Sequence, residues 1–335
     1  MLSEILYHLP MTDKATTPIK RTQSSKKFAA EIEQLLASAN KRTGVKNSRR
    51  LKLILHVGTP KTGTTSVQVY LDKKQRKLRT KGILYPNRFH NPNAPKHQWF
   101  ERNLVSANAE SLLDNFNDIL NHVEEHTHTI LLSSEGIYNN WWGFPQESKV
   151  LLLELNNLFD VEIWVWFKEP LAFAESFYKQ CLRNPQVEHI SCYGRDLSFA
   201  EVLEDPWFSQ RLDYIGFVKE CDELFGKESV KLFECNKDTV ATVSGLLGLT
   251  TPNDNPTPRK NNCMNAVTAE LYRVINRLPL VAKEKEKLVP LVNELDVALA
   301  LYNDRENNSL ISEESRDKIN KMTAEGLLEI QKRFI

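Results

Sequence analysis

Apolar and polar positions along this chain fall into short blocks that read as strands alternating with helices. Residues 53–57 form an apolar run that breaks at Gly58, and a segment of helical character starts near Thr64. A second short strand, GILYP at 82–86, is closed by proline, and 87–100 is rich in Asn, Pro and His, which predicts a loop with at most one helical turn. Residues 104–125 and 151–159 carry helical spacing, while TILLS at 129–133 and VEIWVWF at 161–167 read as buried strands. Upstream, Phe28, Ile32, Leu35 and Leu36 share one face of a helix predicted over 28–39. From Pro206 onward the pattern is mainly helical, with a short strand at 230–233.

This order predicts an α/β fold: a parallel sheet of P-loop type, wound with right-handed crossovers, flanked by helices and followed by a helical C-terminal third. Sites in such sheets lie beyond the carboxyl ends of the strands, where Gly58, Glu135 and Lys168 all stand.

Composition adds limits more than content. The 335 residues fit one sizeable domain over 49–335, preceded by an extension over 1–48 that is basic, poor in large apolar residues and expected to be partly disordered. A net charge of +1 gives no overall basic field, so a nucleic-acid partner is not expected. Five cysteines, odd in number and without C-x-x-C spacing, point to free thiols rather than a zinc site or a disulfide framework. No apolar run reaches membrane-spanning length, and the N-terminus lacks the basic region of a signal peptide, so the expectation is cytoplasmic.

The chemistry concentrates in LKLILHVGTPKTGTTSVQ, residues 51–68. A strand, a glycine-containing turn and a helix start follow one another, an arrangement that aims unpaired N–H groups at an anion. The ordinary phosphate loop is G-x-x-x-x-G-K-[ST]. Gly58 and Gly63 have that separation, but Thr64 occupies the lysine position and the lysine has moved inside the loop, to Lys61. Nor does a later strand end in a metal-binding Asp: the candidates end in Ser133-Ser134-Glu135 and Lys168-Glu169-Pro170. A magnesium-dependent phosphotransferase of the kinase type is thereby disfavoured, though it stays as the alternative.

The segment Gly58-Thr59-Pro60-Lys61-Thr62-Gly63-Thr64-Thr65 resembles the 5′-phosphosulfate loop of the PAPS-dependent sulfotransferases, in a bacterial-type, carbohydrate sulfotransferase-like form. A second element of that family matches some 110 residues later: a basic residue ending a strand, Lys168, with Ser176 eight positions on and Tyr178 completing Ser-x-Tyr. The likeness spans roughly residues 50–265. One departure stands out, since the family usually has arginine where this chain has Lys168, and lysine lacks the planar fork for bidentate phosphate contact. The expectation is either a lower affinity for PAPS or compensation by Arg183 or Arg259, which would supply the missing donors.

The resemblance implies transfer of a sulfuryl group from PAPS to a hydroxyl or amine of a small-molecule or glycan acceptor, with PAP as product and no metal expected. Lys61 would stabilise the leaving phosphate oxygen, and Thr64, Thr65 and the N–H groups of residues 62–65 would bind the 5′-phosphate. Lys168 and Ser176 would hold the 3′-phosphate, with Arg259 and Lys260 in a basic loop closing over it. The S-S-E-G-I-Y stretch is similar to a strand end of heparan-type enzymes in which a glutamate deprotonates the acceptor. That makes Glu135 the first candidate base, with His97 the second. Trp141 and Trp142 are candidates to stack on a sugar ring or, alternatively, to plug the core. A non-catalytic PAP-binding protein is the remaining reading. Acceptor identity and oligomeric state carry no sequence signature.

Overall fold

A computed structural model describes residues 20–44, 50–86, 95–188, 190–235, 238–249, 264, 266–302 and 310–335. Five parallel strands, β1 (Lys52–His56), β2 (Ile83–Leu84), β3 (Thr129–Ser133), β4 (Asp160–Phe167) and β5 (Val230–Glu234), form one sheet in the order β2-β3-β1-β4-β5. The predicted α/β class is therefore the one observed.

The sheet is buried on both faces, as a parallel sheet requires, so its strands read as continuous apolar runs. Their alternation separates two layers. Leu53, Leu55, Ile130, Leu132, Val161, Ile163 and Val165 face the larger core, while Ile54, Leu131, Trp164 and Trp166 face a smaller one. The smaller core is covered by α2 (Thr64–Lys73), α3 (Gln75–Thr80) and α12 (Thr239–Leu246).

The larger core is covered by the remaining helices. They are α1 (Gln23–Thr43), α4 (Gln98–Val105), α5 (Ala109–Asn121), α6 (Gly136–Asn140), α7 (Gln146–Leu158), α8 (Pro170–Arg183), α9 (Phe199–Glu204), α10 (Pro206–Ser209), α11 (Tyr214–Phe225), α13 (Ala266–Arg277), α14 (Ala282–Tyr302) and α15 (Glu313–Gln331). Each fully buried Leu, Ile or Phe here contributes about 1.5–3 kcal/mol relative to exposure. Among the described residues no helix is long and apolar enough to cross a membrane.

Three differences from the sequence expectation have local causes. The single helix expected over 104–125 is two, because Ala107 takes a positive φ of 49° and Asn108 starts α5 afresh, its side chain accepting from the Ser111 N–H at 2.9 Å. The stretch expected to hold at most one turn ends in a two-turn helix, α4, that begins at Gln98. The helix foreseen at 28–39 runs from 23 to 43 and packs on α5 and α7, giving Phe28 and Ile32 to the larger core. Arg21, just ahead of it, forms a two-pronged ion pair with the buried Glu154 of α7. This part of the leader folds with the domain, and residues 1–19 lie outside the described residues.

Candidate functional site

The central strand β1 ends at His56, and the chain turns through Gly58 into the loop that precedes α2. Three residues of the loop have positive φ: Gly58 at 22°, Lys61 at 69° and Gly63 at 84°. Lys61 pays the steric cost of that region, a strain that persists only where surrounding structure imposes it. Gly58 is irreplaceable for a second reason, since a Cβ there would lie 2.7 Å from Thr64 Cγ2. The loop holds itself shut: Thr62 Oγ1 donates to the Thr59 carbonyl at 2.6 Å, and Thr59 donates to the Trp166 carbonyl through both N–H (3.1 Å) and Oγ1 (2.9 Å). Pro60 and Thr64 are buried, Lys61 is half-buried, and Thr65 is exposed at the mouth.

Those bonds to Trp166 matter because Lys168 is two residues further along. β1 and β4 are adjacent, yet the helix after β1 packs on one face of the sheet and the helix after β4 on the other: α2 buries Val67 and Leu71 in the smaller core, α8 buries Phe173 and Phe177 in the larger. Adjacent strands whose connections depart to opposite faces leave a crevice between their carboxyl ends, the usual ligand position in open α/β sheets. Lys168 is half-buried at the β4 side of it, its carbonyl accepting from Tyr214 Oη at 3.1 Å, and Ser176 is half-buried in the second turn of α8. The start of α8 is already occupied, because the Glu169 carboxylate accepts from the Leu171 and Ala172 N–H groups. Tyr178 turns its hydroxyl to the Leu197 carbonyl, away from any phosphate role. Arg183 closes α8 seven residues beyond Ser176, about 10 Å along the axis, and so does not stand beside it. Arg259 and Lys260 lie outside the described residues.

On the other side of β1, Glu135 follows β3. It stands at the start of α6 but makes no capping hydrogen bond, so a mere cap is not its role. Its carboxylate instead accepts from Gln68 Nε2 of α2 at 2.9 Å and lies 3.7 Å from Lys96 Nζ, with about a quarter of the side chain exposed (23%). A second carboxylate, Glu101 of α4, lies over Gly136 and takes a hydrogen bond from Asn140 at 2.7 Å. Burial holds the Glu101 carboxyl above its ordinary pKa.

His97 is fully buried, edge-on to Tyr85. Its N–H donates to the Ser133 carbonyl, and its ring Nδ1 accepts from the Ser133 N–H at 2.9 Å. An imidazole whose Nδ1 lone pair is so engaged carries its proton on Nε2 when neutral, leaving no lone pair free to take a proton from an acceptor. The geometry gives His97 the part of a pin on β3 and leaves Glu135 as the candidate base.

The two tryptophans have different surroundings. Trp141 is 1% exposed, packs on Phe144 and Phe217, and donates through Nε1 to Glu220 at 3.0 Å. Trp142 is half-buried against Tyr138, with the Arg211 guanidinium 5.3 Å from its ring. Arg211 is itself buried and stacks at 3.7 Å on Trp207, with hydrogen bonds to the Trp207 and Asn139 carbonyls. Burial lowers its pKa to about 10, which leaves it charged. The core-plug alternative therefore describes Trp141.

Sequence reasoning missed four residues around the loop: His56, Gln68, Ser133 and Thr239. Thr239, at the start of α12, reaches the Thr62 carbonyl at 3.4 Å. His56 was the legible one, a polar residue inside the apolar run LILHV. Among the described residues no group of three or more His, Cys, Asp or Glu is placed to hold a metal ion. No protein-family model matches the chain, and no curated protein matches it.

Proposed function

We propose that this protein transfers a sulfuryl group from PAPS to a hydroxyl of an acceptor, most plausibly a saccharide or glycoconjugate. The observation that carries the reading is that the loop Gly58–Thr65 and the end of β4 leading to Lys168 lie side by side at the carboxyl ends of adjacent strands, tied by the Thr59–Trp166 hydrogen bonds. A nucleotide with phosphates on both its 5′ and 3′ positions suits two anion-binding groups so disposed.

In the reaction the acceptor oxygen forms a bond to sulfur, and the bond between sulfur and the 5′-phosphate oxygen breaks. Glu135 takes the acceptor's proton, and PAP leaves with the electron pair on its phosphate oxygen. Lys61 and the N–H groups at the start of α2 offset that charge. Gln68 and Lys96 hold the Glu135 carboxylate in place.

Thermal unfolding with PAP and with ATP–magnesium tests the reading. A ligand at a hundredfold excess over its Kd stabilises by about 2.7 kcal/mol. PAP is expected to raise Tm. Stabilisation by ATP–magnesium with none by PAP would overturn the assignment in favour of a phosphotransferase.

A further inference from the structure

His56 is a buried titratable group against the loop that the proposed mechanism leaves unused. It is 1% exposed and stacks edge-on against Trp166, and its two ring nitrogens have different surroundings. Nδ1 lies 2.8 Å from Ser133 Oγ. Nε2 has no protein hydrogen-bond partner among the described residues. It lies 3.3 Å from the position a Cβ would take on Gly58, a point that is also 3.5 Å from Thr62 Oγ1 and 2.7 Å from Thr64 Cγ2. Nε2 thus looks into the hollow of the loop from below.

The hydrogen-bond network accommodates a proton on Nε2. Glu135 can only accept, so the Gln68 group facing it at 2.9 Å is the amide nitrogen. The same nitrogen lies 3.2 Å from Ser133 Oγ and gives it its second hydrogen. Ser133 Oγ, which also meets Tyr85, gives its own hydrogen either to Tyr85 or to His56 Nδ1; in the second arrangement the neutral imidazole carries its proton at Nε2. A buried ring nitrogen with no protein partner among the described residues, directed into the turn, calls for a partner from the ligand.

We propose that His56 is a further ligand-binding residue, donating from Nε2 to an oxygen of the anion held in the loop Gly58–Thr65, directly or through one water. The Glu135–Gln68–Ser133–His56 chain then links the candidate base to the bound phosphate, so that one network orients both. The inference rests on the sulfotransferase reading for the identity of the anion, the 5′-phosphosulfate of PAPS, but not for the presence of an anion.

Calorimetry with PAP and with inorganic pyrophosphate separates the two. A His56→Phe variant keeps a ring against Trp166 and removes both nitrogens; with its fold checked by circular dichroism, it is expected to bind both probes about tenfold or more weakly. In the wild-type protein, ¹⁵N spectra of the imidazole are expected to show His56 protonated at Nε2 and that resonance moving on pyrophosphate addition, a measurement independent of whether the variant folds. Unchanged affinity in a folded variant, or an Nε2 resonance unmoved by saturating pyrophosphate, would overturn the role of His56. Pyrophosphate binding that needs His56, with PAP bound no more tightly than pyrophosphate, would keep His56 and sink the nucleotide assignment. Failure of the wild-type protein to bind either probe would overturn both.

Discussion

The amide of Gln68 donates to the Glu135 carboxylate at 2.9 Å, joining the helix that grows out of the phosphate loop to the acidic residue at the end of the neighbouring strand. On the proposed function, this bond couples donor binding to proton abstraction. Glu135→Gln is expected to cut turnover by a hundredfold or more while leaving PAP affinity within about twofold. Gln68→Leu should lower kcat by less, because the carboxylate survives but is no longer held. A radiolabelled sulfate-transfer assay beside calorimetric PAP titration checks both, and full activity of Glu135→Gln would place the base elsewhere.

On the proposed function, a two-pronged arginine at position 168 would give better phosphate geometry than Lys168. Lys168→Ala is expected to weaken PAP about tenfold or more and leave 5′-AMP unaffected, since only the 3′-phosphate is lost as a partner. Lys168→Arg should bind PAP at least as well as the parent protein. Equal loss of affinity for both nucleotides would mean that Lys168 acts on the loop rather than on the 3′-phosphate.

Much of this arrangement was legible in the chain, for identifiable reasons. Strands β3 and β4 carry the apolar stretches ILL and IWVWF because both faces of a parallel sheet are buried, and the loop is a contiguous motif. The His56–Ser133–Gln68 contacts were not legible. They depend on β1 pairing with β3 in the register that sets His56 opposite Ser133, a relationship between positions 77 apart. Local sequence, NNWWGFP, leaves open whether Trp141 stacks on a sugar or plugs the core, and the choice is made by Phe217 of a distant helix, which packs against the ring.

Trp141→Ala is expected to destabilise the fold by about 3–5 kcal/mol, the cost of emptying a large core site. The same variant should not raise the acceptor KM selectively. Urea unfolding read by circular dichroism measures the first quantity, and steady-state kinetics on the folded fraction the second.

Acid stability should carry the mark of His56. Burial lowers its pKa from 6.5 to about 4, with Glu135 opposing the shift. Between those values the unfolded chain binds a proton at this position and the folded protein does not, so stability falls as the pH drops through the window. The loss reaches about 3 kcal/mol at its lower end. His56→Phe should show a shallower decline from pH 6.5 to 4 in denaturant titrations made across that range.

The helix before β1 has a practical meaning for anyone who cuts the gene. Composition invites trimming at residue 48, just ahead of the loop strand. A protein begun there would keep every residue of the phosphate cradle, yet would strip Phe28 and Ile32 from the larger core and leave Glu154 as a charge sealed in the interior without Arg21. Such a shortened version is a recipe for insoluble expression, and assays on it would report misfolding as though it were lack of activity.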